Sequence, residues 1–194
     1  APAAITREGL VMEIDNVGAS AATPHALPAA EHATSGCVPS LEAGGLTIDM
    51  TVQLTADSPG ELCLVDTREQ TGKGIAISTD EIEKRPTMRI DLNDGVHAGG
   101  MDVDPGMLAP GRRHHVTFIV DGGPNIISVV VDGVLCNGNM KRQYGFGWFD
   151  AALDDVNGSE TMTIDPAVKE LRIYDRYLRT AEAVANHRAR MEGS

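Results

Sequence analysis

Gly45-Leu46-Thr47-Ile48-Asp49-Met50-Thr51-Val52-Gln53-Leu54 alternates between apolar and polar side chains without a break. Successive side chains of a strand point to opposite faces, so Leu46, Ile48, Met50, Val52 and Leu54 share one side and Thr47, Asp49, Thr51 and Gln53 the other. The pattern predicts a strand with one face in a core and one in water. Shorter stretches of the same period surround it: Leu10–Asp15, Glu61–Asp66, Gly74–Ser78, Thr87–Leu92, His114–Val120, Ile126–Asp132, Thr161–Ile164 and Val168–Tyr174. Turn signals stand between them, including Asp94-Gly95, Asp121-Gly122-Gly123-Pro124, Asp132-Gly133 and Asn157-Gly158. Strands in this number, with no helical pattern between them, predict an all-β antiparallel sandwich.

A single short helix is expected near the C-terminus. Thr180 can cap it, Glu182 lies in its first turn, and Arg188 and Arg190 lie in its last, each charge favourable for the helix dipole. Val184 and Met191, seven apart, offer a narrow apolar stripe to rest on the sandwich. Two segments fit neither period: Asn16–Gly44, rich in Ala, Pro and His, and Asn137–Glu160, rich in Gly, Asn and aromatics. Long loops of this kind in a compact domain are usually functional or disordered.

The 194 residues suffice for one sizeable core, and no repeat or composition break divides them, so residues 1–194 are read as one domain. Sixteen Lys and Arg against 28 Asp and Glu give a net charge of −12. That field repels phosphate backbones and anionic membranes, which argues against nucleic acid as a partner. No apolar run approaches the ~20 residues that span a bilayer, so membrane insertion is not expected. The sequence begins at Ala1 without Met and ends Gly193-Ser194, as expected of a domain excised from a larger secreted protein. Cys37, Cys63 and Cys136 form no CxxC pair. Buried free thiols are favoured over the one disulfide that an odd count allows.

The segment Arg112-Arg113-His114-His115-Val116-Thr117-Phe118-Ile119-Val120-Asp121, followed by Ile127-Ser128-Val129-Val130-Val131-Asp132-Gly133, resembles the central hairpin of laminin-G-like, concanavalin A-like jelly rolls. Lys169-Glu170-Leu171-Arg172-Ile173-Tyr174-Asp175-Arg176-Tyr177-Leu178, then Thr180-Ala181-Glu182, is similar to the closing strand and short helix of that family. The resemblance implies a jelly-roll sandwich. It also implies a non-catalytic carbohydrate-binding module, accessory to a neighbouring catalytic domain of a glycan-degrading enzyme, that is secreted, periplasmic or at the cell surface. This sandwich hosts lectins, adhesion domains and enzymes alike, so a glycoside hydrolase or polysaccharide lyase, or an extracellular protein-adhesion domain, stand as alternatives.

Aromatics are scarce, with one Trp, three Tyr and three Phe, yet Tyr144, Phe146, Trp148 and Phe149 crowd into one loop. Sugars present apolar C–H faces that stack on exposed aromatic rings, and hydroxyls that Asp, Asn and Arg bind. Arg142, Tyr144 and Trp148 are therefore the candidate contacts for an oligosaccharide or polysaccharide, unless the rings turn inward to pin the loop. Arg89 and Asp91 alternate outward from Met88, Ile90 and Leu92 and join them if that sheet face adjoins the loop. Calcium, which needs six to eight hard oxygens, is a candidate cofactor. Asp150, Asp154, Asp155 and Asn157 form one candidate cluster for it, and Asp91, Asn93, Asp94, Asp102 and Asp104 another.

His114 and His115 point to opposite faces of their strand and cannot form one metal pair. Glu13 and Asp15 share a face, as the paired carboxylates of a hydrolase on this fold would, but the third carboxylate expected next is absent at Asn16-Val17-Gly18. No GxSxG elbow, HExxH or phosphate-binding glycine loop occurs. Binding without chemistry is the favoured expectation.

Overall fold

The computed structural model describes residues 4–28, 37–42, 44–56, 60–82, 84–138 and 144–192. In chain order the strands are β1 (Leu10–Asp15), β2 (Thr23–Ala26), β3 (Gly45–Gln53), β4 (Cys63–Asp66), β5 (Gly74–Ile82), β6 (Arg85–Asn93), β7 (Ala98–Asp102), β8 (Arg113–Asp121), β9 (Ile126–Val131), β10 (Val134–Leu135), β11 (Gly147–Trp148), β12 (Thr161–Ile164) and β13 (Val168–Tyr174). Helix α1 (Thr180–Glu192) ends the chain. Sheet A is seven-stranded and runs β1-β13-β3-β8-β9, with β10 and β11 sharing the last edge of β9. The six-stranded sheet B runs β2-β12-β4-β5-β6-β7. Every pairing is antiparallel, and the two sheets form the predicted sandwich.

Register explains the core. Ile173, Ile48, Phe118 and Val129 stand abreast across β13, β3, β8 and β9. Ile164, Val65, Ile77, Ile90 and Met101 form a matching row across sheet B. All of these side chains are buried in one hydrophobic cluster. Each large aliphatic or aromatic side chain so removed from water stabilises the fold by roughly 1.5–3 kcal/mol.

Several sequence expectations need correction. The polar face of β3 is not in water: Thr47 and Asp49 are both 0% exposed, because α1 and its approach roof that side of sheet A. The Thr47 hydroxyl donates to the Arg176 carbonyl and accepts from the Leu178 N–H. Of the expected apolar stripe of α1 only Val184 docks, since Met191 is 67% exposed. Ala183 and Asn186 are the buried helix residues, with Val184 packed beside Ile119 and Val130. Asn186 donates to Asp49 Oδ2 (3.5 Å) and to the Tyr174 hydroxyl (3.2 Å) and accepts from the Thr6 N–H (2.8 Å). Helix attachment thus combines a small apolar contact at Ala183 and Val184 with hydrogen bonds to groups that would otherwise be buried unpaired.

The segment 16–44 contains strand β2, an edge strand in which Pro24 is tolerated at the sheet margin. Strand β7 was hidden from the alternation pattern by Gly99-Gly100. Asn157-Gly158 lies in an irregular segment rather than a hairpin turn. A Cβ on Gly158 would lie 2.3 Å from the Lys73 carbonyl oxygen and 2.4 Å from that of Thr67, so glycine serves close backbone approach there. Cys37, Cys63 and Cys136 are free thiols, the first and last buried and Cys63 exposed.

Candidate functional site

The outer face of sheet B gathers charge. One cross-strand row holds Cys63, Ser78, Arg89 and Asp102, and the next holds Asp66, Ala76, Asp91 and Gly100. Arg89 lies between two carboxylates, donating from Nε to Asp91 Oδ1 (2.8 Å) and from Nη1 to Asp102 Oδ2 (3.2 Å). Arg68 makes a bidentate pair with Asp66, Nε to Oδ1 at 2.9 Å and Nη2 to Oδ2 at 2.8 Å. Burial pushes the Asp66 carboxyl up, but the Arg68 hydrogen bonds and charge outweigh it and hold the group below its ordinary value. Both guanidiniums are partly exposed, fixed in plane by their partners. Beside Arg68 lies a depression of about 290 Å³ lined by Arg68, Ala76, Ser78 and Asp91 among others. Oriented donors and acceptors around a shallow floor suit hydroxyl recognition.

Aromatic side chains form a ladder at the adjoining edge. Gly147 and Trp148 pair with Ile127 and Ile126 of β9, and strand alternation then sends Trp148 outward and Phe149 into the core. Trp148 is 63% exposed and Tyr144 50%. Tyr144 stacks on Phe146, ring centroids 5.5 Å apart and planes within 8°, and Phe146 meets Trp148 edge to face at 5.2 Å. Strand β11 also contacts β7, the edge strand whose other neighbour is β6 with Arg89 and Asp91. Register nevertheless sets Trp148 on the side of Ile126, Ser128 and Val130, the outer face of sheet A, whereas Arg89 and Asp91 lie on the outer face of sheet B. Arg142 lies outside the described residues.

The acidic segment after this loop is tied down by internal bonds. Asp150 accepts from the Ala152 N–H at 2.8 Å. Asp154 accepts from the Ser40 hydroxyl and from the Glu42 N–H. Asp155 pairs with Lys73 at 2.6 Å, and Asn157 exchanges hydrogen bonds with the backbone of Val38. In the other acidic group, Asp94 accepts from the N–H groups of Val96, His97 and Asp154, which overcome the opposing effect of burial and lower its pKa to about 2. Asp104 accepts from the Asn137 and Gly138 N–H groups. Among the described residues, no group of three or more His, Cys, Asp or Glu is arranged to hold a metal ion.

Glu13 lies on β1 of sheet A, bound by Arg7 at 2.8 Å and Arg172 at 2.7 Å, while Asp15 accepts from the Val17 N–H. The hydrogen bond from Arg7 leads the causes that lower the Glu13 pKa. His114 and His115 diverge as expected: His114 Nδ1 donates to Asp132 (2.7 Å) while its Nε2 accepts from the Ala109 N–H, and His115 Nε2 donates to Asp49 (2.5 Å). Arg68 and Asp66 escaped the sequence reading, although their spacing of two is the same as that of Arg89 and Asp91.

No family model matches the chain, and no curated protein matches it by sequence. Solved structures share its fold. The carbohydrate-binding module CBM40 of the Ruminococcus gnavus IT-sialidase, bound to α2,3-sialyllactose, superposes with a TM-score of 0.62 at 13% identity over 91% of this chain and 98% of that one. The binding domain of botulinum neurotoxin serotype D gives 0.61 at 12% identity over 96% of this chain and 52% of that one. The leech intramolecular trans-sialidase gives 0.57 at 14% identity, 94% and 28%. At these identities the likeness is one of fold.

Proposed function

We propose that the protein is a carbohydrate-binding module that holds an oligosaccharide or polysaccharide without cleaving it, as a secreted or surface-exposed accessory to a glycan-degrading enzyme. The observation that carries this reading is the ladder of exposed Tyr144 and Trp148 about the half-buried ring of Phe146. Rings supply a platform for C–H faces, and the ion-paired side chains supply directed hydrogen bonds for hydroxyls. Two of the similar structures hold sialic acid-containing or derived ligands, which supports a glycan partner for the fold. The net charge of −12 disfavours anionic sugars at long range, so discrimination between neutral and sialylated glycans falls to Arg68 and Arg89 at contact distance.

The bound state of Glu13 supports binding over hydrolysis, because the carboxylate is committed to two arginines. Exposed Val134 and Leu135 of β10, on the same edge of β9 as Trp148, favour a protein-contacting surface as the second reading. A glycan array carrying neutral and sialylated oligosaccharides, with affinity gels, run beside a reducing-end release assay, separates the three. Retention without release is the expected result. Release of reducing ends would install the enzyme reading, and silence on every glycan would install protein adhesion.

A further inference from the structure

Beneath α1, on the outer face of sheet A, lies a cavity of about 340 Å³ that the sheet B site does not use. Its buried wall is His115, 4% exposed, whose Nε2 donates to the ionised Asp49. That bond fixes the proton on Nε2 and leaves Nδ1 as the ring's second polar atom, buried and without a hydrogen-bond partner. His187 of α1 stacks on this ring, centroids 5.6 Å apart and planes within 16°, and its own Nδ1 is likewise buried and unpartnered. Burial, then repulsion by His115, hold the His187 pKa below its ordinary value. Opposite stands Arg172, whose Nη1 makes no hydrogen bond and has carboxylate oxygens no nearer than 3.7 Å (Glu170) and 3.9 Å (Asp49).

Buried polar atoms in native proteins are nearly always satisfied, so three of them converging on one cavity point to a ligand that satisfies them. The charges select its class. Arg113, Arg172 and Arg190 are balanced by Asp49, Asp132 and Glu170, so the cavity offers no net field to an ion. It offers two buried imidazole nitrogens and guanidinium donors as hydrogen-bonding partners, which suits hydroxyl groups, since each both donates and accepts. Ile5 and Met191 line the same cavity with apolar surface for C–H groups. The volume is at the small end of ligand pockets. We propose that this cavity binds one small neutral polyhydroxylated molecule of monosaccharide size. The inference stands apart from the aromatic platform, because no residue of that platform lines the cavity.

The test is an amide and histidine-ring NMR titration of the full chain with glucose, galactose, mannose and N-acetylglucosamine at millimolar concentrations, with acetate as the anionic comparison. At least one sugar is expected to give saturable shifts in residues 113–115, 170–172 and 187–191 and in both rings. Met191→Trp, at an exposed position, should plug the cavity, and His187→Phe keeps a flat ring on His115 while deleting the nitrogen. Each should weaken binding at least tenfold with the rest of the spectrum unchanged. The proposal is overturned if no sugar shifts these residues, if both variants bind as well as the parent, or if acetate binds there more tightly than every sugar.

Discussion

The Cβ that Gly100 lacks would sit 2.6 Å from Arg89 Nη2, in the space the Arg89 side chain occupies as it reaches from β6 to Asp102 on β7. The same point lies 2.7 Å from Asp91 Oδ1 and 2.6 Å from the Ile90 carbonyl oxygen. Glycine at this register position is what lets the arginine and its partner lie flat on the sheet. Gly100→Ala should therefore displace the pair, lower stability by about 1–3 kcal/mol and weaken glycan binding severalfold. Urea unfolding and affinity electrophoresis on the variant check both parts, and an unchanged variant would show that the pair tolerates a methyl group.

Asp49 should be the most damaging polar position to truncate. It is fully buried and receives His115, Thr117, Asn186 and Arg190, the last two from α1. Asp49→Ala leaves buried cationic and polar donors without their acceptor, a loss of about 3–5 kcal/mol. The urea midpoint should fall accordingly, and helix α1 should lose hydrogen-exchange protection first.

Acid should act through the same residue. Burial alone would raise the Asp49 pKa, but the His115 hydrogen bond and charge, then Arg190 and Thr117, bring it down to about 2. A carboxyl depressed in the folded state contributes stability that is present above its unfolded pKa of about 4 and is lost as pH falls through the folded value. Of order 2 kcal/mol should thus disappear between about pH 4 and pH 2, and the acid loss should be smaller in Asp49→Asn. A parent and variant with the same acid profile would remove Asp49 from this role.

Calcium can be tested by melting temperature. A site filled at 100 times its dissociation constant would add about 2.7 kcal/mol. Asp154 and Asp155 already accept from Ser40 and Lys73, so an ion would have to displace those donors. Millimolar calcium and excess EDTA should leave melting temperatures within about 1 °C of each other. A rise of several degrees on adding calcium, abolished by Asp155→Asn, would assign the cluster to the ion.

Much of the fold was legible because period-two alternation is a local property: Thr161–Ile164 and Val168–Tyr174 have the bounds the pattern gives. Strands β2 and β7 were hidden because Pro24 and Gly99-Gly100 carry no alternation signal, although an edge strand tolerates both. The dry polar face of β3 could not be read locally either, since Asn186 and Arg190 reach Asp49 from 137 and 141 residues away. At the candidate site, the outward direction of Arg89 and Asp91 follows from alternation, as does the opposition of Trp148 to Phe149. The Arg68–Asp66 pair does not, because Arg68 lies beyond the end of β4, where alternation assigns no direction.

The most direct test of the glycan-platform reading is the binding of a retained oligosaccharide by Trp148→Ala, measured by calorimetry beside its melting temperature. Trp148 is mostly in solvent, whereas its neighbour Phe149 is core. The account predicts at least a tenfold loss of affinity, about 1.4 kcal/mol, with a melting temperature within about 2 °C of the parent. A variant that binds as tightly as the parent but melts several degrees lower would contradict it, making Trp148 a residue that holds the loop rather than the sugar.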